Sequence, residues 1–198
     1  MTATLQRDKV SKLAKCDCAQ ALRVAREISD PWFRAQALSH VARFMVDDPC
    51  PIAHEAACAA QQCDDSFKRS AVRAWEIAAL AERGRAEKAR QTLHAAMTEA
   101  LLTTPASSQS EALILLLHAA ARIGLTETLF VAEVLRNVLS ADTHWRCTRA
   151  VKDAVAIITR LDVEAAKHFS EAICDETTKA KCLVAIRTGG MAPRAFFW

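Results

Sequence analysis

The sequence predicts an all-α protein made of about five antiparallel helical hairpins. Its 198 residues include 40 alanines, but only 4 glycines, 5 prolines and no tyrosine. β-Rich folds need turn glycines and β-branched or aromatic strand residues, and this chain is poor in glycine and in aromatic residues. Between the prolines and glycines, apolar residues recur with helical spacing. Hydrophobic residues make up 52% of the chain, which excludes low-complexity disorder and makes a disulfide or metal staple unnecessary.

Start and stop signals divide the chain into helices. Asp30-Pro31 is an N-cap followed by proline at the first helical position, and the next helix carries an apolar stripe that includes Leu38 and Val41. Asp64 is predicted to cap a helix that ends at Gly84. A further helix opens at Pro105 and ends at Gly124, and the remaining N-cap candidates are Thr126, Asp142, Asp162 and Asp175.

Ten helices follow from these signals. They are joined by connections of one to four residues, which force neighbouring helices to be antiparallel. Their approximate spans are 17–29, 31–46, 51–63, 65–83, 85–103, 105–123, 127–139, 142–160, 163–173 and 176–187.

The predicted organisation has three parts: an N-terminal segment at 1–16, an α-hairpin repeat domain at 17–190 and a C-terminal tail at 191–198. The tail is expected to be loose, although Phe196, Phe197 and Trp198 are suited to dock on an exposed end of the domain. The first 20 residues are basic and contain no apolar signal region, so we expect a cytoplasmic protein that does not span a membrane. In that compartment the eight cysteines are expected to be reduced.

The hairpins show internal similarity. At an offset of 145 residues, Asp30 aligns with Asp175 and Arg34 with Lys179. At an offset of 34, Asp30 aligns with Asp64, and the spacing between turns is in the range of two-helix repeats. One hairpin cannot bury its apolar stripe alone, so we predict that the hairpins stack as a right-handed α-α superhelix, or solenoid. A helical bundle would use the same apolar pattern and is the structural alternative.

This pattern resembles the α-solenoid repeats of tetratricopeptide-like or HEAT-like proteins over roughly residues 17–187. The resemblance lies in alanines on both helices, an Asp turn, and then a basic residue with Ala-x-x-Ala-Leu-like spacing. It implies a scaffold that binds a ligand, usually a peptide or protein and sometimes a nucleic acid.

The second helices of the hairpins are predicted to form a basic face. They contain fourteen basic and seven acidic residues, whereas the first helices carry a net charge of −2. Such a face attracts phosphates or an acidic peptide, although the same residues also suit an ordinary solvated surface. The candidate binding residues are Arg34, Arg69, Arg73, Arg146, Arg149, Lys152, Lys179 and Lys181. Three tryptophans lie in or beside these helices and are candidates either for the core or for the ligand surface: Trp32, Trp75 and Trp145.

Residues able to bind metal or to catalyse a reaction are present, but in patterns better explained by packing. Cys50, His54 and Cys58 share one helical face with Cys63 near its end, yet alanines surround them and they lack zinc-knuckle spacing. His118 lies in an apolar run typical of a core histidine. We therefore assign no catalytic residue, metal ligand or cofactor.

The function expected from these observations is a non-enzymatic helical-repeat scaffold that binds a protein or peptide partner along one face. Nucleic-acid binding through the basic layer is one alternative. The other is a small-molecule or metal-dependent helical enzyme, because helical enzymes assemble sites from dispersed residues.

Overall fold

The computed structural model describes residues 2–139, 145–171, 173, 175–190, 192–194 and 197. All regular secondary structure within these residues is helical. The side chain of Cys147 is not among the described groups. The twelve helices are α1 (Ala3–Leu13), α2 (Cys18–Arg26), α3 (Pro31–Phe44), α4 (Cys50–Gln61), α5 (Ser66–Ala71), α6 (Arg73–Glu82), α7 (Ala86–Leu101), α8 (Ala106–Ala120), α9 (Leu125–Leu139), α10 (Trp145–Thr159), α11 (Val163–Glu171) and α12 (Glu176–Thr188).

The predicted all-α class is confirmed. Each of the ten predicted segments corresponds to one helix, except that 65–83 is divided at Val72 into α5 and α6. Helix α1 is additional to the ten predicted helices. The sequence left open whether the first sixteen residues form a helix. Its N-cap is Thr2, whose side chain accepts a hydrogen bond from the backbone N–H of Leu5.

Three predicted N-caps are confirmed by hydrogen bonds. The Asp30 carboxylate accepts from the backbone N–H of Trp32 at 2.9 Å, and Asp175 accepts from the N–H of Thr178 at 2.9 Å. Asp162 accepts in the same way from the residue three positions later. These side chains satisfy donors that the first helical turn leaves without intrahelical partners.

Two N-cap predictions are wrong. Asp65, not Asp64, caps α5, because its carboxylate accepts the backbone N–H of Lys68 at 2.6 Å. The Asp64 carboxylate instead contacts the Lys68 ammonium at 2.7 Å. Thr126 lies inside α9, which begins at Leu125. The candidate Asp142 lies outside the described residues.

The helices pack in a regular order. Helices α1, α3, α6, α8, α10 and α12 form a central row, in which each helix contacts the next. Helices α2, α4, α7, α9 and α11 flank this row, and each contacts two consecutive members of it. The buried alanines permit this close approach of helix axes, since Ala37, Ala71, Ala112 and Ala154 are fully inaccessible to solvent.

The core runs the length of the central row. Its largest fully buried side chains include Ile77 of α6, Leu113 and Leu116 of α8, and Ile158 of α10. None of the described helices combines the length and the apolar character that a membrane span requires. Six cysteines are described, and all six are free thiols.

Candidate functional site

Two described residues that follow α12, Arg194 and Phe197, lie against the middle of the central row. Arg194 contacts α8 and α10, and Phe197 contacts α6 and α8. We call residues 191–198 the tail segment, and the five residues that contact Arg194 or Phe197 the tail site: Trp75, Glu111, His118, Arg122 and Asp153. The predicted docking on an exposed end is therefore wrong for Phe197, and the two other tail aromatics named by the prediction, Phe196 and Trp198, lie outside the described residues.

Aromatic rings from the central row and its neighbours make consecutive contacts that lead to the tail site. Trp32 stacks on Phe67 with centroids 6.1 Å apart, and it meets Trp75 edge to face at 6.0 Å. Phe197 continues the series, with its centroid 5.2 Å from Trp75 and 6.2 Å from His118. Edge-to-face rings at these separations contribute about 0.5–1.5 kcal/mol each beyond the area that they bury.

The Arg122 guanidinium lies over the Phe197 ring, with its carbon 4.7 Å from the centroid. The same guanidinium is held by Glu82 of α6 at 2.7 Å, and Glu82 also contacts Arg43 of α3. A carboxylate shared between two arginines thus ties three central-row helices together. It also fixes the cation that faces Phe197.

The opposite end of the tail site is acidic. Arg194 donates to the carboxylate of Asp153 at 2.6 Å and approaches that of Glu111 at 3.7 Å. The Glu111 carboxylate also forms an ion pair with Arg149 of α10. Asp153 is only 6% exposed, and a carboxylate this deeply buried needs a paired cation.

Burial and nearby cations dominate the electrostatics around His118. Burial lowers the pKa of His118 to about 4, and the positive charges of Arg122 and Arg194 act in the same direction. The imidazole is therefore neutral near pH 7. His40, buried on α3, has its pKa lowered to about 4 for the same first reason.

The first three cations of the predicted basic face are engaged by acceptors within the protein. Arg34 donates to the carbonyl oxygen of Ile28 at 3.1 Å. Arg69 donates to the carbonyl of Cys63 at 3.2 Å and to Glu99 of α7 at 3.1 Å. Arg34 and Arg69 each bind a backbone carbonyl in the segment that follows a flanking helix.

Arg73 forms the most buried of these pairs. Its guanidinium contacts the Glu76 carboxylate at 2.6 Å, and Thr92 of α7 donates its hydroxyl to the same carboxylate at 3.4 Å. Burial raises the pKa of Glu76, while the neighbouring Arg73 opposes this rise.

The other predicted cations occupy α10 and α12. Arg146 and Arg149 lie over the exposed ring of Trp145, with guanidinium carbons 5.6 and 4.8 Å from its centroid. Lys179 contacts Glu176 at 3.4 Å, while Lys152 is half-buried and Lys181 is exposed. The structure therefore brings Arg146 and Arg149 together around one tryptophan, and it places Arg34 and Arg69 beside the flanking helices.

A cleft of ≈ 480 Å³ lies beside the aromatic series, between the first turns of α3 and α5. Its lining includes Trp32, Phe33 and Phe67, together with Lys68 and Asp30. The cleft extends the apolar surface of Trp32 and Phe67 away from the tail site.

The cysteine and histidine residues of α4 have separate environments. The Cys58 sulfur lies 3.7 Å from Nε2 of His54, and both groups face solvent, whereas Cys63 is buried. Burial raises the pKa of Cys63 to about 11, which disfavours the thiolate that binds zinc. Among the described residues, no three His, Cys, Asp or Glu side chains converge as a metal site would require.

Sequence reasoning missed most of the tail site. In the sequence, Glu111 and Asp153 are two of the seven acidic residues that lower the net positive charge of the second helices. Arg194 was not predicted to have a role. The available signal was a carboxylate within an apolar stretch, since Asp153 is followed by Ala154-Val155-Ala156-Ile157-Ile158. A charge so placed on a helix indicates a buried partner elsewhere in the chain.

Comparison with protein-family models and with the sequences of curated proteins gave no match. The structure is similar to the crystal structure of Ton1535 from Thermococcus onnurineus NA1, with a TM-score of 0.52 and 12% sequence identity. The similarity covers 98% of this chain and 69% of that chain. At this level of identity it extends to the all-helical fold alone.

Proposed function

We propose that this chain is a non-enzymatic helical-repeat scaffold that binds a protein or peptide partner along the face of the central row. In this proposal the helices form a right-handed superhelix of about five hairpins, with α1 added at one end. The packing order supports this arrangement, because each flanking helix contacts two consecutive central-row helices. A stack of hairpins requires such contacts between neighbouring repeats.

The observation that carries the proposal is the seating of non-helical chain on this face. Arg194 reaches the carboxylates of Asp153 and Glu111, and Phe197 contacts Trp75 and the Arg122 guanidinium. The face thus provides charged and aromatic contacts to an irregular segment of polypeptide, which are the contacts that anchor peptide ligands in grooves.

The contacts favour a peptide over a nucleic acid. Arg69, Arg73 and Arg149 are each paired with a carboxylate, which reduces the positive charge that phosphates would meet. A protein that binds nucleic acid gains free energy when its cations displace the counterions that surround the phosphates.

Peptide selection tests the proposal. A random peptide library would be displayed against the full chain, and the affinities of selected peptides measured by calorimetry. Because Arg194 occupies Asp153 in the full chain, the comparison is made in a chain that carries Arg194→Ala and Phe197→Ala. In that background Asp153→Asn is expected to weaken binding at least about tenfold, as loss of a charge-assisted hydrogen bond does. Glu55→Gln on the flanking helix α4 is the matched control and is expected to leave binding unchanged.

Hydrogen exchange would locate the selected peptides, which are expected to protect α6, α8 and α10. Protection confined to the flanking helices would contradict the proposal. So would tight, salt-dependent anisotropy changes with DNA or RNA in the absence of any selectable peptide.

A further inference from the structure

The tail site divides into two subsites that lie in neighbouring grooves of the central row. The acidic subsite, Glu111 and Asp153, lies between α8 and α10. The aromatic subsite, Trp75, His118 and Arg122, lies between α6 and α8. Packed helices are separated by about 8–10 Å, so the grooves are about that far apart.

The sequence spacing of the two occupants fits this separation. Arg194 and Phe197 are three residues apart, and three residues of extended chain span roughly 10 Å at about 3.3–3.6 Å per residue. A ligand that crosses the helices in extended form therefore places side chains i and i+3 in successive grooves. Arg194 lies on the α10 side and Phe197 lies on the α6 side.

The acidic subsite is built for a planar cation. Glu111 and Asp153 are largely buried, and Arg149 contacts the first of them from within the fold. The arginine of the tail segment supplies a second guanidinium and bridges both carboxylates. A guanidinium contacts two acceptors in one plane, which a lysine ammonium on its flexible stem does less well.

The aromatic subsite is built for a ring. Trp75 meets Phe197 edge to face, and the Arg122 guanidinium carbon lies 4.7 Å from the centroid of the Phe197 ring. Glu82 holds that guanidinium in place before any ring arrives, so the cation is preorganised for a ring in the groove.

We propose that the tail site binds extended peptides of partner proteins in which an arginine is followed three positions later by an aromatic residue, and that the chain's own tail segment competes for this site. The inference rests on the proposed function and assigns it a ligand chemistry. A segment tethered to its own site acts at an effective concentration of the order of millimolar. Only the open fraction of the protein is then available to a partner.

The test measures binding of a fluorescein-labelled peptide with the sequence of residues 190–198 to full-length protein. In the tail variant, Arg194→Ala/Phe197→Ala, the competing contacts are removed, so the peptide is expected to bind about tenfold or more tightly than to the wild type. The control variant, Val184→Ala/Arg187→Ala, removes an apolar and a basic side chain from the exposed surface of α12 and is expected to match the wild type.

Altered peptides and altered sites test the chemistry. Replacing the peptide's arginine with glutamine, or the phenylalanine three positions later with alanine, is expected to weaken binding to the tail variant at least about tenfold. Adding Asp153→Asn to the tail variant is expected to do the same. Circular dichroism verifies the fold of each protein, and Glu111→Gln replaces Asp153→Asn if the latter unfolds.

Several outcomes would overturn the inference. Equal affinity of the peptide for wild type and tail variant would exclude competition by the tail segment. Equal affinity of the altered peptides would exclude the arginine–aromatic code. If the peptide fails to bind the tail variant while library-selected peptides bind the same face, the inference falls and the proposed function stands; if neither binds, both fall. If the wild type is a dimer and the peptide dissociates it, the tail segment binds the site of a second copy. That result would contradict competition within one chain.

Discussion

Replacing His118 with glutamine is expected to reduce the loss of stability that the protein suffers in acid. The imidazole is 8% exposed and has a pKa of about 4 in the fold, against an ordinary value of 6.5. Because folding lowers this pKa, the unfolded chain takes up the proton first. The stabilising contribution of the neutral histidine is therefore complete above pH 6.5 and is lost as the pH falls from 6.5 towards 4.

The magnitude follows from the difference between the two pKa values. One pKa unit corresponds to about 1.4 kcal/mol, so lowering the pH from 7 to 4.5 removes about 2–3 kcal/mol through His118 alone. Glutamine carries no titrating proton, so the variant is expected to lose that much less free energy of unfolding over the same interval. Carboxylates whose pKa is lowered by hydrogen bonds, such as Glu55, also destabilise the acid form, but they do so equally in both proteins.

The assay is urea unfolding at pH 7.0 and pH 4.5, followed by circular dichroism. The readout is the change in unfolding free energy between the two pH values, since the substitution also alters the contacts of His118 at every pH. His168→Gln, at an exposed position on α11, controls for the substitution itself. If wild type and His118→Gln lose the same free energy on acidification, the assignment of a buried, neutral imidazole is wrong.

Three further outcomes are expected. Asp65→Ala should destabilise the protein by about 1 kcal/mol in urea unfolding, because it removes the α5 N-cap, and Asp64→Ala should destabilise it less; the reverse order would restore the original N-cap assignment. Ala71→Leu should overpack the core and cost about 1–3 kcal/mol, and an unchanged thermal melting curve would contradict the packing described for this helix. Burial and the raised pKa of Cys63 should make it react with a thiol reagent more slowly than exposed Cys58, as mass spectrometry of partly labelled protein would show; preferential labelling of Cys63 would refute its burial.

Local sequence signals were sufficient for the helices because helix formation depends on neighbours within a few residues. The N-caps Asp30, Asp162 and Asp175 were correct, since each carboxylate accepts a backbone N–H two or three residues away. The choice between Asp64 and Asp65 failed because both residues satisfy the same local rule.

The candidate site could not be predicted in the same way. Arg194 meets Asp153 across 41 residues of sequence, and Arg149 meets Glu111 across 38. No local periodicity encodes such partners, which become neighbours only when the helices stack. The sequence therefore predicts a basic face on the second helices but not the carboxylates that pair with several of its cations.

By itself, the sequence determined that this protein is all-α, where its helices begin and end to within a few residues, and that small alanine side chains permit their close packing. These properties depend on backbone hydrogen bonds and apolar spacing along single segments. Only the tertiary structure decided that Arg194 pairs with Asp153 and that Phe197 meets Trp75. Contacts between distant residues depend on how whole helices pack, and the free energy of that packing is shared across the entire core.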